Sequence, residues 1–292
     1  MKNFIRSIFF IQTLLVLNSL NINAQTFAWA NSINTALGSV NLFGISVDLN
    51  GNSYVTGDFQ GTITLGTIQI TSYGLTDMFI AKYNSNGNCL WAKHAGGVYW
   101  DNNPGFAGIA IDTNGNSYIT GCFTGTATFD TVQIISYGPN SIDIFIAMYD
   151  SIGNCVWAKH AGGNYIDYGY AISVDKKGNS YITGPFEGTA HFGTISLSNY
   201  GPDGYSDIFI AKYDHYGNCL WAKHAGGNSN DGGAGITVDA YGNSYITGDY
   251  DGIAKFDTIQ LTGGGFFTVI EVIPEISVDL FGIVSLIGVD SA

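Results

Sequence analysis

Short apolar runs rich in β-branched and aromatic residues are separated by polar clusters of Gly, Asn and Asp along most of this chain. Runs of this length and composition predict β-strands joined by tight turns. The pattern also repeats. The block Val47-Asp48-Leu49-Asn50-Gly51-Asn52-Ser53-Tyr54-Val55-Thr56-Gly57 returns from Asp112, Asp175 and Asp239, at spacings of 64, 63 and 64 residues. A second block, Asp77-Met78-Phe79-Ile80-Ala81-Lys82-Tyr83 leading to Cys89-Leu90-Trp91-Ala92-Lys93-His94-Ala95-Gly96-Gly97, returns from Asp143 and Asp207. A period this long is the mark of a repeat architecture and frames every later reading.

Each unit holds four strands. In the first, residues 44–47 run into an Asp48-x-x-Gly51-Asn52 turn, where Gly supplies positive φ and Asp bonds nearby amides. Residues 53–59 return as the second strand, and residues 62–65 and 68–70 form an extension that prolongs or decorates that hairpin. Residues 79–83 and 89–94 make the third and fourth strands around a second turn of the same kind. Four antiparallel strands per unit predict an all-β fold, a β-propeller of about four blades with a degenerate fifth open as an alternative. The units lie near residues 43–97, 107–163, 170–227 and 234–292. One blade cannot be stable alone, because its faces are covered by its neighbours.

The blocks Val-Asp-x-x-Gly-Asn-Ser-Tyr-Ile-Thr-Gly and Asp-Ile-Phe-Ile-Ala-Lys-Tyr-Asp-x-x-Gly-Asn-Cys-Leu-Trp-Ala-Lys resemble the bacterial β-propeller repeat known as the SBBP family, from about Trp29 to Leu261. The resemblance implies a surface or secreted module, and the family brings no common activity with it. Two departures stand out. The fourth unit keeps its Asp239 hairpin but has neither the Phe-Ile-Ala-Lys-Tyr strand nor the Trp-Ala-Lys strand after Leu261. Its tail instead reads as a degenerate closing unit or a truncated product, with residues 275–282 similar to the start of another hairpin. At the other end, Phe27-Ala28-Trp29-Ala30 is similar to a fourth strand and is expected to complete the terminal blade, which removes two sheet edges.

Composition adds an address and excludes some partners. Lys2 and Arg6 precede an apolar stretch over residues 8–17, which reads as a secretory signal peptide over residues 1–24, with the repeat domain over 25–292. The stretch is shorter than the roughly 20 residues that span a bilayer, so no membrane span is expected after processing. The protein is therefore expected outside the cytoplasm: extracellular, on the cell surface or in the periplasm. A formal net charge of −13, with eight lysines as the basic residues beyond Arg6, argues against nucleic acid.

Candidate chemistry is sparse. His94, His160 and His224 recur at one place in the repeat, which marks them as parts of the blade. The Asp48 and Asp112 turns resemble pieces of calcium loops but lack the ligands such loops need, so no metal is expected. No cofactor motif is visible. Cys89, Cys155 and Cys219 are equivalent, and equivalent positions of separate blades should exceed the roughly 7 Å reach of a disulfide, so with Cys122 they read as buried thiols. The connections after each Gly-Gly vary, and they are expected to gather Tyr99, Trp100, Asp101, Tyr165, Asp167, Tyr168 and Asp231 on one ligand-binding face. The expected function is a non-enzymatic binding module for a glycan, a peptide or a cell-envelope protein. The alternatives are a polysaccharide-active enzyme with carboxylates at the propeller axis, and a structural spacer or fragment of a longer propeller.

Overall fold

The computed structural model describes residues 28–35, 38–99, 101, 107–202, 204–272, 276–278 and 284–286. The leader expected at residues 1–24 lies outside them, as do Phe27 and Trp100. All regular structure among the described residues is β-strand.

The second strand of each unit is central: Ser53–Phe59, Ser117–Phe123, Ser180–Glu187 and Ser244–Tyr250. It pairs antiparallel with an inner strand on one side, Val40–Val47, Gly108–Ile111, Ala171–Val174 or Gly232–Val238. On its other side lies the third strand, Asp77–Tyr83, Asp143–Tyr149, Ser206–Tyr213 or Gly265–Val272. The fourth strands, Cys89–Gly96, Cys155–Ala161 and Cys219–Gly227, follow in units 1 to 3. The strand Gly265–Val272 corrects the expectation that unit 4 lacks its third strand. It loses the motif's letters, but residues 265–272 remain rich in aromatic and β-branched residues, which suit a pleated strand opposite Ser244–Tyr250.

The inner turns form as expected. Asp48 Oδ1 accepts the amides of Asn50 and Asn52, and Oδ2 accepts Asn52 Nδ2 and the Tyr54 hydroxyl. Gly51, with φ +76°, closes the turn. Together with Lys82 Nζ at 3.7 Å from Oδ2, these bonds occupy the carboxylate within its own unit.

Units are joined by two devices. The extension hairpin does not prolong its own unit. It crosses to the fourth strand of the preceding one, with Thr128 opposite Gly96, His191 opposite Gly162 and Lys255 opposite Gly226. Alternation within such a hairpin is the same whichever neighbour it takes, so the pairing is a tertiary choice. The second device is a tryptophan. Trp91 and Trp157 lie over Gly153 and Gly217 of the following unit and donate Nε1–H to Ser151 O and His215 O.

The N-terminal segment follows the same rule. Trp29 lies over Gly87 and donates to Ser85 O, while Ile33–Thr35 pairs with Thr62–Leu65, Asn34 facing Thr64 as Gly96 faces Thr128. It thus sits on the first unit as a preceding fourth strand would, rather than on the terminal blade. At the other end, Ile276–Val278 pairs with Val284–Leu286 in the register of Ile45–Val47 with Ser53–Val55, so the tail does begin another hairpin.

The apolar core lies between units. One cluster joins Met78 and Ile80 to Ile119, Phe123 and Phe145, a second joins Ile144 and Trp157 to Ile182, Phe186 and Phe209, and a third joins Ile208 and Ile210 to Ile246 and Phe267. Successive inner strands are neighbours from unit 1 to unit 4, and no substantial packing joins the first to the fourth among the described residues. Consistent with an uncovered leading face, Ile45 is 70% exposed whereas its counterpart Ile172 is 7% exposed. Cys89, Cys155 and Cys219 are half-buried rather than fully buried, each with Sγ against a Trp carbonyl oxygen, and Cys122 is buried.

Candidate functional site

Each unit junction is organised around two carboxylates. Asp77, Asp143 and Asp207 open the third strands and are fully buried. Their Oδ2 atoms accept the amides of Tyr73, Tyr137 and Tyr200 at 2.8 to 2.9 Å. Asp101, Asp167 and Asp231, in the connection after each Gly-Gly, form the second set. Each accepts through Oδ2 the amide of Gly97, Gly163 or Gly227, and through Oδ1 an amide of the next unit, that of Thr124, Glu187 or Asp251. These three carboxylates are buried staples between units, not part of an exposed loop face.

The two sets meet across Gly96, Gly162 and Gly226. A Cβ on Gly226 would lie 2.4 Å from Asp207 Oδ1 and 3.0 Å from Asp231 Oδ2. Burial pushes Asp101 and Asp167 up to about 8, with the neighbouring carboxylate adding to the rise. Burial likewise raises Asp207 to about 7, and Asp143 and Asp231 to about 6. Such shifts are also found at catalytic acids. Here the groups are shut from solvent, repeated at three junctions and bonded to backbone amides, which is the arrangement of a structural clasp.

The recurring histidines stand beside this clasp. His94 Nδ1 lies 3.1 Å from Asp77 Oδ2. Each histidine ring meets an exposed tyrosine: Tyr73 with His94 at 4.5 Å between centroids, Tyr137 with His160 at 4.9 Å, and Tyr200 with His224 at 4.5 Å. These tyrosines escape a reading centred on the variable loops. Their signal is the Tyr-Gly pair at residues 73, 137 and 200, which recurs with the period of the repeat.

The aromatic residues expected at the site divide. Tyr99 and Tyr165 are exposed and equivalent, and their rings lie over Gly125 and Gly188 of the next unit. Tyr168 is half-buried at the entrance to the third inner strand and stacks on Tyr170 at 5.7 Å rather than covering a glycine of the next unit. Trp100 lies outside the described residues.

The third junction differs. The position held by Tyr99 and Tyr165 is Ser229, whose Oγ lies 3.7 Å from a Cβ built on Gly252. The hairpin position held by Thr128 and His191 is Lys255. A groove of about 520 Å³ lies here, lined by Tyr200, Gly227, Asn228, Ser229, Lys255 and Gln260 among others. It has the size of a small-ligand site, with an aromatic ring, amide side chains, a hydroxyl and an ammonium group at its walls.

Comparison with known proteins agrees with the repeat. Residues 156–184 match the model of the SBBP β-propeller repeat. An uncharacterized WD repeat-containing protein of Acanthamoeba polyphaga mimivirus is 28% identical over 223 residues, a match covering 64% of this chain and 16% of that protein. Among solved structures, a protein of unknown function from Bacteroides caccae aligns with TM-score 0.37 and 8% identity, over 82% of this chain and 67% of the other.

Proposed function

We propose that this protein is an exported, non-enzymatic β-propeller scaffold of about four blades, which holds a glycan, peptide or cell-envelope protein on the connections between blades. The observation that carries this reading is the contrast within each junction. The clasp of paired aspartates and its backbone amides is repeated, while the residue placed over the next unit's glycine changes from Tyr99 and Tyr165 to Ser229. A constant frame with variable exposed positions is the arrangement of a binding surface.

Against the rival reading of a polysaccharide-active enzyme stands the disposition of the acids. A glycosidase needs two carboxylates facing a bond, roughly 5 to 10 Å apart in an open cleft. The paired aspartates here are buried between units and accept backbone amides. The test is to incubate the purified protein with a glycan array and with cell-envelope fractions, beside assays of polysaccharide turnover. Binding without turnover is expected; for a ligand held at the first two junctions it is weakened by Tyr99→Ala and Tyr165→Ala together and, by more than about 1 kcal/mol, by Trp100→Ala. Turnover abolished by one carboxylate substitution would overturn the proposal.

A further inference from the structure

The three junctions share one frame, so a residue that differs at one of them is an experiment already performed by the sequence. At the second junction, the Tyr165 ring lies over Gly188. The His191 ring lies tilted against Tyr137 at 5.2 Å between centroids and bonds across the hairpin to Ser196, its Nδ1 lying 2.8 Å from the hydroxyl. The His191 ring thus takes up space beside Tyr137, and the Tyr165 ring covers the glycine of the next unit. At the third junction Ser229 replaces the tyrosine and Lys255 replaces the histidine, and the groove of about 520 Å³ opens beside Tyr200.

What lines this groove defines its occupant. Tyr200 is half exposed; its backbone N–H donates to Asp207 Oδ2, and its ring packs perpendicular to that of His224. Its ring is a fixed apolar platform of the kind that stacks against the C–H face of a pyranose. Asn228 and Gln260 add amide donors and acceptors, Ser229 a hydroxyl, and Lys255 an exposed ammonium. Lys223 does not compete for the same role, since its ammonium pairs with Asp257 at 3.6 Å. An ammonium beside an aromatic platform favours a sugar that carries a carboxylate, because a charge-assisted hydrogen bond is shorter and stronger than a neutral one.

We propose that the groove between the third and fourth units is a binding site for an acidic sugar, with Tyr200 as the stacking platform and Lys255 as the carboxylate contact. This deepens the reading of the protein as a glycan-holding scaffold and rests on it. The site exists because Ser229 stands where its counterparts are tyrosine.

The experiment is isothermal titration of the purified protein with trigalacturonic acid, with neutral maltotriose as the comparison. The decisive variant is Ser229→Tyr, which restores the residue that two sibling junctions already carry over an equivalent glycine. It should melt as the unchanged protein does and lose at least about tenfold in affinity for trigalacturonic acid. Lys255→Gln should remove the preference for the acidic trisaccharide over the neutral one. Tyr165→Ser serves as a control at the sibling junction and should leave trigalacturonic acid affinity unchanged. Retention of affinity by Ser229→Tyr, or an unchanged preference in Lys255→Gln, overturns the site. Absence of binding by the unchanged protein also overturns it; glycan-array binding elsewhere would then leave the broader scaffold reading standing, while an acidic peptide that binds and is displaced from this groove would replace the sugar as its occupant.

Discussion

Replacing Trp157 with alanine tests the way units are locked together. The Trp157 side chain is 7% exposed, donates Nε1–H to His215 O at 3.0 Å, and lies with its Cδ2 2.8 Å from the place a Cβ on Gly217 would take. Its ring is also edge-on to Tyr118 at 6.2 Å. Truncation removes a large buried side chain and leaves a gap between two units, at a cost of about 3 to 5 kcal/mol. The His215 carbonyl loses its donor as well, which contributes about 1 kcal/mol within that range. For a domain of this size such a loss lowers the melting temperature by about 10 °C. Trp29 makes the equivalent contact at the first unit but is 40% exposed and stacks on Tyr83 at 6.4 Å, so Trp29→Ala should cost only about 1 kcal/mol. Urea unfolding followed by circular dichroism measures both. A loss below about 1 kcal/mol for Trp157→Ala, or equal losses for the two variants, would refute the argument that junction packing grades with burial.

Three further outcomes follow from the same geometry. Asp101, Asp143, Asp167, Asp207 and Asp231 titrate between about 6 and 8 in the folded protein, against about 3.9 in an unfolded chain. The folded state therefore binds more protons in that interval, and the stability this gives is complete below about pH 4 and lost as pH rises through 6 to 8. Melting temperature should fall between pH 5 and 8.5, and Asp167→Asn should flatten the slope; a temperature that rises with pH across this range would contradict the clasp. Burial pushes the Cys89 thiol up to about 11 and those of Cys155 and Cys219 to about 12, so iodoacetamide at pH 8 should label them only after denaturation, and rapid labelling of the native protein would count against their packing. Removing residues 28–35 uncovers Gly87 and the edge of Thr62–Leu65, and should destabilise the protein by less than Trp157→Ala does; an equal or larger loss would show that the segment also completes a second unit.

Much of the frame was legible in the sequence because the inner turn and the two strand motifs recur at nearly fixed spacing. The partner of the extension hairpin was not, since Thr126–Phe129 alternates identically whether it meets its own unit or Ala95 and Gly96 of the preceding one. The third strand of unit 4 is hidden by its changed letters, and only its aromatic and β-branched composition marks it as a strand. Asp101 and its equivalents looked like loop carboxylates because the amides that bury them belong to Gly97 nearby and to Thr124 more than twenty residues on. Tyr200 is inconspicuous in the sequence for the opposite reason: it belongs to the repeat, and its meaning comes from what is missing beside it at one junction. Ser229 and Lys255 could be found by aligning the junctions to one another, where each departs from its siblings.

The most direct test of the central claim, that ligand is held on the variable connections of a constant frame, is an amide shift map of the isotope-labelled protein titrated with trigalacturonic acid. The predicted result is a set of shifts confined to residues 226–229, 253–255 and 260, around Tyr200. Shifts centred instead on the inner turns at Asp48, Asp112 and Asp175, with none at residues 226–229, would contradict it.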